Sequence, residues 1–76
     1  MRPHDLGRLQ AKVLDYIRAC GLHGATDDEI QFALDLGAQT QTPRRYELAE
    51  RKFIKKNGRQ RLTRKGRFAD VWVVRR

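Results

Sequence analysis

The sequence predicts an α+β fold: three helices followed by a C-terminal β-hairpin, in one domain over residues 1–76. Three observations predict it. Apolar residues recur at spacings of three and four near the N-terminus. Thr26 and Thr42 stand where helices would be capped. From Phe53 onward the chain is rich in β-branched and aromatic residues, interrupted by turn glycines.

The first helix is carried by Leu6, Leu9, Val13, Ile17 and Cys20, with Leu14 and Tyr16 widening the stripe. Arg8, Lys12, Asp15 and Arg18 fall elsewhere. Asp5 is the expected cap, and Gly21 suits a left-handed stop. This face reads as core, and Cys20 as a packed small residue rather than a nucleophile.

"GLHGAT" is a connector in which Ala25 is placed to make one short strand residue. "TDDE" at 26–29 is a capping box: Thr26 caps, and Glu29 reaches back. Asp27 and Asp28 sit at the positive end of the helix dipole. A helix start explains these acids more simply than a metal or acid–base site. The second helix is expected to run to Leu36 and end at Gly37, with Ile30, Ala33, Leu34 and Phe32 supplying its contacts.

"AQTQ" reads as a turn. The third helix is expected over about 43–51, capped by Thr42, with Pro43 at the first position, where its missing N–H is harmless. Leu48 is its inward anchor, with Ala49 and Tyr46 beside it. Arg44 and Arg45 would then oppose the dipole by about 0.3–1 kcal/mol each. Stability alone would place acids there, so these arginines suggest a partner.

The tail reads as β structure. "FIKK" leads to a turn at Asn57-Gly58, "RQRLT" forms a strand, "RKGRF" is a tip, and "ADVWVVRR" returns. Ala69, Val71 and Val73 share one face; Trp72 and Val74 share the other. Periodicity leaves open which face meets the helices.

Charge is segregated along the chain. Residues 1–43 carry four Lys/Arg against six acids, net −2; residues 44–76 carry thirteen against three, net +10. Segregated signs imply a face turned to a polyanion, beyond what solubility alone requires. The single cysteine excludes an internal disulfide and fits a reducing compartment. The start "MRPHDLGRLQ" has no apolar signal region, and no apolar run approaches the roughly 20 residues of a membrane span. The expectation is a soluble, cytoplasmic protein.

The order helix, capped helix, short turn, arginine-bearing helix, basic hairpin resembles a winged helix-turn-helix domain over residues 5–74. The segments "GATDDEI", "TPRRYELAERKFI" and "NGRQRLTRKGRFADVWV" carry the likeness. They resemble small winged-helix proteins common in phage and prophage genomes. The matching residues include Thr40, Arg44, Arg45, Glu47, Leu48, Gly58, Arg61, Thr63, Gly66, Arg67, Ala69, Val71 and Trp72. One departure is Lys52, where the group usually has glycine; a left-handed backbone there would cost on the order of 1 kcal/mol.

The resemblance implies a non-catalytic double-stranded DNA-binding protein, a transcriptional regulator, with the third helix in the major groove. Gln39, Thr40, Gln41, Thr42, Arg44 and Arg45 are its candidate groove residues, with Arg44 favoured for specificity. The basic tip at 63–68 would reach the backbone or minor groove through Arg64, Lys65 and Arg67. Lys55, Lys56, Arg59 and Arg61 would hold flanking phosphates. Against this, Arg45 can pair with Glu47 or Glu50, and the arginine pair can brace the hairpin. Trp72 is core rather than a stacking platform, and His4 and His23 carry no assigned role. No catalytic constellation, metal site or cofactor site is legible. The alternative is a protein-docking module that turns the basic face to an acidic or DNA-binding site on a host protein. Double-stranded RNA fits less well, because its major groove is too narrow for a helix. The sequence does not specify the target site or the oligomeric state.

Overall fold

The computed structural model describes residues 6–75. The chain forms α1 (Arg8–Cys20), a 3-10 turn (Gly21–His23), α2 (Asp27–Leu34), α3 (Ala38–Glu50), β1 (Ile54–Leu62) and β2 (Phe68–Val74). Three helices and a two-stranded antiparallel hairpin make the fold α+β.

In α1 the apolar spacing does what it predicts: Val13, Leu14 and Ile17 are buried, with Leu6, Tyr16 and Cys20 packed beside them. The helix begins later than expected. Its N-cap is Gly7, whose N–H donates to Gln10 Oε1 at 3.0 Å. Asp5, the expected cap, lies outside the described residues. Gly21, at φ 59°, closes the helix.

Gly24 marks a close crossing of chain segments. A Cβ there would sit 2.5 Å from the Trp72 carbonyl oxygen, and its φ is 67°. This lets Ala25 exchange two backbone hydrogen bonds with Trp72, at 2.9 and 2.8 Å. Ala25 is thus the single strand residue its sequence context suggests, and β2 runs between it and β1.

The capping box of α2 is present: Thr26 Oγ1 accepts from the Glu29 N–H at 3.2 Å, and Glu29 Oε1 accepts from the Thr26 N–H at 3.1 Å. The helix ends at Leu34 rather than Leu36. Asp35 turns left-handed at φ 55°, and the Leu36 N–H returns to the Gln31 carbonyl at 3.0 Å. That turn carries Leu36 against the core. Only Ile30 and Leu34 of this short helix face inward; Phe32 and Ala33, expected as contacts, are exposed.

The largest correction concerns α3. It starts at Ala38 with Gly37 as N-cap, so "AQTQ" is helical and Thr42 is no cap. Pro43 lies inside the helix, and Arg44 and Arg45 stand beyond the first turn, where the dipole no longer acts on them appreciably. The reason is tertiary. Gln41 is fully buried and bonded to α2, which draws residues 38–41 into the helix. Leu48 is buried as expected, but Tyr46 is exposed. After Arg51, Lys52 takes φ 67°, and the Phe53 N–H returns to the Leu48 carbonyl at 3.0 Å.

Asn57-Gly58 is a bulge rather than a turn. Lys56 pairs with Trp72 and Gln60 with Asp70, so three residues of β1 oppose one of β2. Gly58 at φ 88° and a 2.8 Å bond from the Arg59 N–H to Asn57 Oδ1 absorb the extra chain. Both faces of β2 are covered near its end: Val71, Trp72 and Val73 are all buried. The core unites Val13, Leu14, Ile17, Ala25, Ile30, Leu48, Ile54 and Trp72.

Candidate functional site

The three acids that open α2 each hold a different arginine from the basic half of the chain. Asp27 accepts from Arg45 Nη2 at 2.8 Å and also from Gln41 Nε2 at 3.1 Å. Asp28 accepts from Arg64 Nη2 at 2.9 Å and from the Arg64 backbone N–H at 3.2 Å. Glu29 accepts from Arg61 Nε and Nη2, both at 2.8 Å. The helix start therefore clamps α3, β1 and the hairpin tip at three consecutive positions. Sequence reasoning assigned these acids only to capping and the dipole. The missed signal is that three adjacent acids in a chain of net charge +8 face an excess of cations.

The clamp decides what several candidate residues do. Arg45 retains 16% of its side-chain exposure and lies with Cζ 4.5 Å from the Trp72 ring centroid. Arg61 also donates to the carbonyls of His23 and Gly24, both at 3.0 Å. Both arginines brace the fold: for Arg45 a structural role was the open alternative, though with Asp27 rather than Glu47 or Glu50 as its partner, whereas Arg61 was expected on flanking phosphates. Trp72 belongs to the core. The guanidinium of Arg61 holds the Glu29 carboxyl below its ordinary range, and that of Arg64 does the same for Asp28.

Arg44 is turned toward α1. It donates to Glu47 through Nε at 2.8 Å and Nη2 at 3.0 Å, and Glu47 also accepts from Gln10 of α1 at 2.7 Å. It is the seventh residue of α3, not the second. Gln41 is withdrawn from solvent by its bonds to Gln31 and Asp27, and Thr42 Oγ1 donates to Gln41 Oε1 at 3.3 Å. The exposed stripe of α3 is Gln39, Pro43, Tyr46 and Glu50, at spacings of four, three and four, with Thr40 half-buried beside it.

The hairpin cations divide by face. Lys56 shares a face with Trp72 and pairs with Asp70 at 3.2 Å. Lys55, opposite Val73, faces the other way and lines an apolar groove with Ile17, Arg18, Leu22 and Val74. The structure therefore separates two lysines that the sequence grouped. Lys55, Arg59, Lys65 and Arg67 form no ion pair among the described residues, though Lys65 acts through space on the Asp28 carboxyl. Lys65 and Arg67 stand in the tip, whose form is set by Thr63: its N–H donates to the Arg67 carbonyl at 2.7 Å and its Oγ1 accepts from the Arg67 N–H at 3.3 Å.

Comparison with known protein families, characterised proteins and solved structures finds no match for this chain. Among the described residues no helix is long and apolar enough to cross a membrane, and no group of three or more His, Cys, Asp or Glu is placed to hold a metal ion.

Proposed function

We propose that this chain is a winged helix-turn-helix module that binds double-stranded DNA without catalysis and serves as a transcriptional regulator. The observation that carries the reading is the hairpin. After internal pairing has absorbed Arg45, Arg61 and Arg64, the tip still presents Lys65 and Arg67 with no ion pair among the described residues, and Arg59 stands likewise at the bulge. The clamp holds this tip in place, so the ordering of the loop is complete before any polyanion arrives. Phosphate contacts by such cations position a protein on a duplex.

On this reading α3 supplies base contacts through its exposed stripe. Gln39 can pair with adenine, and the Thr40 hydroxyl can donate or accept. Arg44 can reach guanine only by exchanging Glu47 for the duplex. The arrangement of Ala25, β2 and β1 beside three helices fits a winged-helix layout.

Selection from random duplexes with the purified protein tests this reading. An enriched sequence is the expected result, with Gln39→Ala weakening the selected duplex more than a scrambled one. No enrichment above the input pool and no retention of any duplex would reject it.

Docking on a protein is the second reading, and one observation favours it. The groove beneath Lys55 has a volume of about 390 Å³, and its rim carries Leu22 at 81% exposure. Apolar surface of this kind suits a protein partner better than phosphate.

A further inference from the structure

Leu62 and Phe68 close the two strands immediately before and after the tip. They are cross-strand partners and share a face of the hairpin. Leu62 is 61% exposed and Phe68 70% exposed. A cross-strand apolar pair stabilises a hairpin end, but that role does not need the chain's most cationic segment around it. Arg64, Lys65 and Arg67 lie within the loop that the pair brackets. Arg64 is occupied: it is bound to Asp28, and its guanidinium carbon lies 4.9 Å from the ring centroid of the exposed Phe32. Lys65 and Arg67 are not occupied in this way.

The surroundings decide between two kinds of partner. Cores of protein–protein contacts are depleted in lysine, though not in arginine, so Lys65 fits poorly there. An exposed Leu and Phe beside Lys65 and Arg67, which form no ion pair among the described residues, instead match the means by which minor-groove proteins bend DNA. Cations take the phosphates while an apolar side chain enters a base step and unstacks it. The tip is held by three elements of local order: the Thr63 bonds, the Asp28 clamp and the ladder of β1 and β2. A wedge must be rigid to displace a stacked base.

We infer that Leu62 and Phe68 form an apolar wedge that enters the minor groove of a duplex at a flexible pyrimidine–purine step and kinks it, with Lys65 and Arg67 on the flanking phosphates. This rests on the duplex-binding reading above. It adds a deformable DNA step to what the protein recognises, so part of the specificity is read from DNA shape.

The test uses a duplex of about 20 base pairs with a central TA step, dyes on both ends and 2-aminopurine beside the step. The wild-type protein is expected to raise energy transfer between the ends and to brighten the 2-aminopurine. Leu62→Ala with Phe68→Ala should lose both signals and lower affinity for this duplex at least about tenfold, the scale of losing two apolar contacts. Its salt dependence should stay as in wild type, because Lys65 and Arg67 remain. Phe68→Met should restore much of the bending, since methionine also serves as a wedge. Phe68→Lys is a second variant on an exposed site, and it should bind duplexes at least as tightly while failing to bend them. Circular dichroism and Trp72 fluorescence check that each variant is folded. Bending and brightening unchanged in both the alanine pair and Phe68→Lys would overturn the wedge and leave duplex binding standing. A wild-type protein that retains no duplex would overturn both.

Discussion

Lys52 holds φ at 67° one residue beyond the helix cap Arg51, in the position that the turn-back from Phe53 to Leu48 requires to be left-handed. A side chain there costs on the order of 1 kcal/mol. Lys52→Gly is therefore expected to stabilise the protein by about 0.5–1 kcal/mol, net of the added freedom of the unfolded chain, as read from urea midpoints. A destabilised variant would mean that the lysine makes a compensating contact. Glu29 gives a prediction of the opposite kind. Its folded pKa is depressed by the Arg61 guanidinium below an ordinary value of 4.5. A carboxylate depressed on folding adds stability above its unfolded pKa and loses it as pH falls through the folded one. Stability should thus be level above about pH 5 and decline below it, and Glu29→Gln should make that decline shallower. Equal slopes in denaturant melts across pH 2–6 would remove Glu29 from the account. At this scale the sequence made the Thr26 cap, the left-handed cost at Lys52 and the core residues of α1 legible. It could not reveal that Arg45 and Arg61 are spoken for, because their partners lie in α2, 18 and 32 positions away.

Helix α3 illustrates how local signals are overruled by packing. Thr42-Pro43 has the form of a helix start, yet burial of Gln41 against Gln31 and Asp27 brings the helix in at Ala38. Pro43 then sits in the interior, where it has no N–H to give the Gln39 carbonyl. Pro43→Ala should restore that bond and stabilise the fold by about 1–3 kcal/mol, measured by thermal melting. A loss of stability would mean that the ring's packing outweighs the missing bond. Asn57-Gly58 shows the same lesson in the hairpin. As a dipeptide it signals a turn, but β2 offers partners on both sides of it, and the chain bulges instead. The bulge also explains why Lys55 and Lys56 could not be sorted from sequence. Their faces follow from the pairing register, which depends on the three unpaired residues between Lys56 and Gln60.

Across the whole molecule, the clamp is a division of labour between charges. The acids that open α2 hold three arginines of the basic half, and Lys55, Arg59, Lys65 and Arg67 of the hairpin form no ion pair among the described residues. The three-helix and hairpin order was legible because it depends on apolar spacing and turn residues. The candidate site was only partly legible, because charge counts do not tell which cations are already neutralised. The sequence suggested a recognition helix studded with arginines; the exposed stripe of α3 is instead Gln39, Pro43, Tyr46 and Glu50. On the proposed duplex-binding reading, binding strength belongs to the hairpin, and discrimination to α3 and the wedge. The most direct test is the salt dependence of binding to a fixed duplex, for the wild type and for Lys65→Ala with Arg67→Ala. If roughly five phosphates are neutralised, log K should fall against log salt with a slope of about −4.5, and the double variant should be shallower by about 1.8. A wild-type slope shallower than about −2, or a slope that the double variant leaves unchanged, would contradict a duplex-binding hairpin.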